Sequence, residues 1–91
     1  MSDRFTDNAS ESRFELHVDG HLAVADYFRQ GSTLVIPHVE ADMALRGTGA
    51  ADRLMRQVTD AARAEGSKIK PLCGYAAVWM RRHPETLDLL A

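Results

Sequence analysis

The sequence predicts an α/β (α+β) domain: an antiparallel β-meander, then a βαβ unit, then a C-terminal helix. Three observations predict it. Alternating apolar positions with an Asp-Gly turn run from Arg13 to Ala41, a long 3.6-period stripe fills the middle of the chain, and a short β-type run follows that stripe. The chain has 91 residues, 45% hydrophobic and 26% charged, with a net charge of -2. That length makes one domain. The charge gives no electrostatic basis for nucleic acid, and no apolar run reaches membrane-span length, so neither nucleic acid nor a membrane is an expected partner. Cys73 is the one cysteine, which excludes an internal disulfide and a multi-cysteine zinc site. No signal-peptide core precedes the domain, and a cytoplasmic location is the default expectation.

Met1 to Ser12 is rich in Ser, Asp and Asn and reads as a flexible tail before a domain spanning residues 13–91. Arg13 to Asp19 alternates, with Phe14, Leu16 and Val18 inward and Arg13, Glu15 and His17 outward. Asp19-Gly20 is a hairpin turn. His21 to Arg29 carries Leu22, Val24 and Phe28 on one face and Ala23, Ala25 and Tyr27 on the other, which reads as a strand covered on both sides. Thr33 to Ala41 is a third strand, interrupted by Pro37, which cannot donate to a ladder. It either ends there or splays from its neighbour and leaves a cleft.

Leu45 to Glu65 is the long helix. Ala51, Leu54, Met55, Val58, Ala61 and Ala62 form its buried stripe, Asp52 and Arg56 an i,i+4 pair on its wet face, and Gly66 its stop. Lys68 to Leu72 is a strand, parallel to the third because a helix separates them. Gly74 to Arg82 is a second helix, and Pro84 opens a last turn through which Leu87 and Leu90 dock.

Arg46-Gly47-Thr48-Gly49-Ala50-Ala51 opens the long helix. Small residues there let a ligand approach the backbone, and unpaired N–H groups with the dipole's positive end favour an anion, usually phosphate. No Lys-Ser/Thr follows the second glycine, so a nucleoside-triphosphate loop is excluded. A dinucleotide fingerprint lacks its third glycine, since Asp52 stands there.

The remaining pattern, Arg46-x-x-Gly49-x-Ala51, resembles the acetyl-CoA pyrophosphate loop of the GCN5-related N-acetyltransferases. Pro71-Leu72-Cys73-Gly74-Tyr75 and Trp79-Met80-Arg81-Arg82-His83-Pro84-Glu85 are similar to the C-terminal signature of the small single-domain branch of that superfamily. Phe14-Glu15-Leu16, Asp19-Gly20, Ala25-Asp26-Tyr27 and His38-x-Glu40 match it as well. The branch commonly has Thr where this chain has Pro37, so one backbone donor is missing and Val39 or Ala41 would have to serve. The resemblance implies a minimal fold of that superfamily and acetyl-CoA as donor substrate. It further implies acetyl transfer to an amine. No metal is expected, and a monomer or weak dimer is the expected assembly. Arg46, Gly47, Thr48, Gly49, Ala50 and Ala51 would hold the pyrophosphate.

Cys73 precedes a helix start and is a candidate nucleophile or acid; the plain alternative is a buried apolar cysteine. Tyr75 is a second candidate acid beside the CoA. His38 and Glu40, two apart on a strand, share a face and are the candidate base; otherwise they are a solvated edge. A non-catalytic acyl-CoA-binding or scaffolding module is the competing class. A thiol-redox protein is disfavoured, since there is no Cys-x-x-Cys.

Overall fold

The computed structural model describes residues 2–91. Five strands form one sheet in chain order: β1 (Asp3–Asn8), β2 (Arg13–Val18), β3 (His21–Gln30), β4 (Thr33–Ala41) and β5 (Lys68–Pro71). The first four are antiparallel, and β5 joins β4 in parallel after the crossover helix α1 (Ala50–Glu65). Helix α2 (Gly74–Arg81) follows β5, and a 3-10 segment spans Pro84–Leu89. The expected α/β meander plus βαβ architecture is present.

The β2–β3 hairpin is built on Asp19 (φ 49°) and Gly20 (φ 81°). Two successive positive φ values define the turn whose twist matches antiparallel strands. The outcome is that Phe14 faces Ala25 and Leu16 faces Ala23 across the ladder. These residues, with Val18, Tyr27, Leu34, Ile36 and Ile69, meet Leu54, Met55, Val58 and Ala62 of α1 and Ala76 and Met80 of α2 in one core. Both helices therefore cover the same face of the sheet. The expectation that β3 is covered on both sides holds only in part: on the face without helices Val24 is buried, but Leu22 is only partly buried and Phe28 is 45% exposed.

Of the first twelve residues, expected as a flexible tail, Met1 lies outside the described residues and Asp3–Asn8 form an edge strand. β1 pairs along its whole length with β2, from Asp3 opposite Val18 to Asn8 opposite Arg13. Its composition is polar because one face and one edge meet water. What holds it is tertiary: Phe5 stacks on Phe14 with centroids 5.7 Å apart, and Tyr27 Oη donates to Asp7 at 2.6 Å. At the other terminus Leu87 and Leu90 stay 43% and 36% exposed, and Leu89 and Thr86 fill the position expected of them. The 3-10 winding of that segment changes which residues face inward. Ala91 N–H donates to Ile69 O at 2.9 Å, so the chain end covers the outer side of β5.

Glu15, expected on the wet face, is 6% exposed. Asn8 Nδ2 (2.9 Å), Arg13 Nε (2.7 Å) and His17 Nε2 (3.1 Å) surround its carboxylate. The hydrogen bonds from Asn8 and Arg13, with a smaller contribution from His17, hold its pKa down at about 2, against an ordinary 4.5. A carboxyl with a depressed folded pKa contributes stability above its unfolded pKa, and loses it as the pH falls through the folded value. Glu15→Gln is thus expected to lower stability by about 2 kcal/mol at neutral pH, after discounting for its half-exposed partners. The gap to wild type should close between pH 4.5 and 2, as read by denaturant unfolding across that range.

Candidate functional site: the notch between two parallel strands

The site lies where β4 and β5 part company. Their pairing stops at Ile36 opposite Pro71, yet β4 continues to Ala41. The cause is a bulge: Asp26 faces His38 and Phe28 faces Val35, so Ile36 and Pro37 together oppose Tyr27. Pro37 has no N–H to lose, which suits it to this place. The splaying expected from Pro37 is therefore present. Ile36 O accepts from both Leu72 N–H (3.0 Å) and Cys73 N–H (3.1 Å), turning the chain away from β4 and into α2.

Beyond the bulge, β4 has a neighbour on one side only. Asp42 N–H donates to Leu22 O at 2.9 Å, which sets the phase of the β3–β4 ladder. By antiparallel alternation the N–H groups of Val39 and Ala41 point to the open side. They form one wall of a notch, with Cys73, Gly74 and Tyr75 opposite.

The phosphate-type turn follows directly after β4. Asp42 accepts from Ala44 N–H at 3.0 Å and starts a 3-10 turn, Met43–Leu45, that anchors Leu45 in the core. Then Gly47 (φ 76°) and Gly49 (φ 77°) reverse the backbone, and α1 begins at Ala50 rather than at Leu45. A Leu45 start is ruled out because two left-handed residues cannot lie within a right-handed helix. Thr48 N–H and Thr48 Oγ1 both go to Leu45 O, at 3.1 and 2.5 Å, and Ala50 N–H reaches Thr48 Oγ1 at 3.3 Å. The N–H groups of Gly47, Gly49, Ala51 and Asp52 have no acceptor among the described residues. Four donors at a helix start form a cradle for an anion. Arg46 stands exposed beside them, with no ion pair among the described residues.

Cys73 is the N-cap of α2 but makes no side-chain cap; its side chain is partly buried and packs against the core. Tyr75 is 42% exposed. Burial pushes its phenol pKa up, and the Asp52 carboxylate at the start of α1 adds to that, so the hydroxyl keeps its proton beside the cradle. His38 Nε2 and Glu40 Oε1 lie 3.5 Å apart, both side chains more than half exposed. The bulge has shifted their phase: they project from the face without helices, while Cys73 packs on the core side, and no hydrogen bond or ion pair joins Cys73 to either. The structure sets Tyr75 within electrostatic reach of Asp52 at the start of α1 and Cys73 against Ile36 of β4, and leaves the His38–Glu40 pair on the other face of the sheet.

The expected Asp52–Arg56 pair does not form. Asp52 Oδ1 accepts from Trp79 Nε1 at 2.8 Å, and Arg56 Nη1 reaches Glu85 Oε2 at 2.8 Å. Trp79 is core, as expected, but its indole N–H ties α2 to the start of α1. Arg53 also escaped the sequence reading: it donates to Thr48 O from within the first turn of α1. A basic residue four positions after the second glycine was the only available signal, and it resembles any solvated helix charge. Among the described residues no helix is long and apolar enough to cross a membrane.

A search of curated proteins finds no match. A family model does match: the one described as GCN5-related N-acetyl-transferase aligns with residues 13–89, which takes in the turn, the splayed strand and Cys73. The chain belongs to the GCN5-related N-acetyltransferase family.

Proposed function

We propose that the protein transfers an acetyl group from acetyl-CoA to an amine. The carrying observation is the cradle of four outward N–H groups, set at the carboxyl end of β4 beside an unpaired strand edge. Ligands of parallel strands bind at this end. In this reading Gly47, Gly49, Ala51 and Asp52 hold the pyrophosphate through their N–H groups, with Arg46 as counter-charge. The amide-bearing pantetheine arm lies along Val39 and Ala41, accepting from their N–H groups in the place of the missing β5. The thioester then reaches the Cys73–Tyr75 side of the notch.

Two routes complete the transfer. In the direct route the amine nitrogen bonds to the thioester carbon, the C–S bond breaks, and the departing thiolate takes a proton from Tyr75. The amine gives up its proton through water to His38, with Glu40 beside it. In the covalent route Cys73 Sγ displaces CoA first, and the amine then displaces Cys73. A shallow acceptor side suits a family member without further helices over the outer face. The separation of His38 and Glu40 from Cys73 favours a second reading, a CoA-binding module without turnover.

Acetyl-CoA at millimolar concentration is expected to raise the melting temperature; no rise refutes both readings. CoA release that depends on an added amine supports the enzyme alone. Cys73→Ser separates the routes. Under the covalent route turnover falls by about a hundredfold or more while CoA binding persists, and intact mass of wild type gains an acetyl group when the acceptor is withheld. Full turnover of the variant leaves the direct route.

A further inference from the structure

Arg53 joins two parts of the chain that are 50 residues apart. Its Nη1 donates to Thr48 O at 2.6 Å, and its Nε and Nη2 donate to the two carboxylate oxygens of Asp3 at 2.6 and 3.3 Å. Asp3 is the first residue of β1, and the guanidinium fork fixes its carboxylate bidentately. The same hydrogen bond from Arg53 lowers the Asp3 pKa, so the carboxylate stays charged.

The consequence lies in one peptide plane. Thr48 O and Gly49 N–H belong to the same trans peptide, so they point in opposite directions. A guanidinium that holds Thr48 O inward turns Gly49 N–H outward into the cradle. Gly49, at φ 77° and lacking a Cβ, tolerates a flipped peptide. That flip would replace a donor to phosphate by a carbonyl that repels it.

We propose that Asp3 and Arg53 form a latch that fixes the Thr48–Gly49 peptide and thereby sets the affinity for the pyrophosphate of CoA. This rests on the acetyl-CoA reading above. Both are positioning residues: Arg53 acts through Thr48, and Asp3 acts through Arg53. Asp3 lies outside the stretch the family model matches, so the edge strand has a role in the site as well as in the sheet.

The test is the sign of one charge change. Asp3→Asn removes a negative charge near the cradle and leaves Arg53 in place. Electrostatics without a latch predicts tighter CoA binding. The latch predicts weaker binding, by about threefold, the scale of losing a half-exposed ion pair. Arg53→Lys keeps the cation but offers one ammonium for two partners that are held by separate nitrogens, and is expected to weaken CoA by about fivefold. Titration of the full chain, followed by NMR, uses CoA and pantetheine as probes. Pantetheine has no pyrophosphate, so its affinity should be unchanged in both variants.

Wild-type chain that binds no CoA refutes the acetyl-CoA reading and the latch with it. Wild type that binds, with Asp3→Asn binding equally or more tightly, overturns the latch alone. Equal weakening toward CoA and pantetheine also overturns it, because the effect is then not at the pyrophosphate.

Discussion

Gly49→Val is expected to abolish the rise in melting temperature with CoA while the chain still folds. Gly49 is the N-cap of α1 at φ 77°, where a side chain costs about 1–2 kcal/mol and a β-branched one more. Its added Cβ would sit 3.4 Å from Arg53 Nη1, at the near edge of ordinary contact, so the strain is in the backbone. The valine can relieve it by leaving the left-handed region, and that rotates its own peptide and the N–H groups that follow. Stability then recovers in part, and the cradle does not. Gly47→Ala is the control. Gly47 has φ 76° but nothing within 4 Å of its new Cβ, so it should lose stability by a similar backbone cost and retain more of the CoA response. Thermal melts of both variants with and without CoA check the order, and a Gly49→Val chain with an intact CoA shift would show that the turn is not the binding site.

The turn was legible in the sequence because everything that makes it is local. Two glycines and small neighbours lie within six residues, and the buried stripe that starts α1 follows at once. The same holds for Asp19-Gly20, which sets the hairpin without help from elsewhere. The parts that stayed hidden depend on partners far along the chain. β1 is polar in composition, and its strand character comes from Phe14 and Tyr27 beneath it. Glu15 follows the outward alternation of β2, and becomes buried only because Asn8, Arg13 and His17 close around it. At the site the bulge was the decisive omission. His38 and Glu40 share a face in any strand, but which face depends on the extra residue at Ile36–Pro37, and a period-2 reading does not count it.

Trp79→Ala is expected to give the largest loss of stability. The indole is 5% exposed, stacks on His83 with centroids 3.7 Å apart, and lies under Arg56, whose Cζ is 5.2 Å from the ring centre. Removing it empties the seam between α1 and α2, at about 3–5 kcal/mol. A domain of this size has on the order of 5–15 kcal/mol in total, so a fall in melting temperature of roughly 20 °C follows. Trp79→Phe separates packing from the hydrogen bond. The phenyl ring keeps most of the stack and loses only the Nε1 donor to Asp52, whose carboxylate is 61% exposed and regains water. The stability cost should be about 1 kcal/mol. The effect on CoA should be larger than that suggests, because Asp52 is the third residue of α1 and the Trp79 indole makes the one short hydrogen bond that draws its carboxylate toward α2, with His83 Nε2 farther off at 3.8 Å. A released carboxylate at this position turns back onto N–H groups at its own helix start, as acidic residues in a first turn do. It would then occupy donors meant for phosphate. Trp79→Phe is thus expected to fold well and bind CoA several-fold more weakly, and Asp52→Asn in the same background should restore binding by removing the competing charge. Calorimetric titration of wild type and these two variants decides it: weak binding that persists in the double variant would place the loss in the packing of α2 and not in the carboxylate.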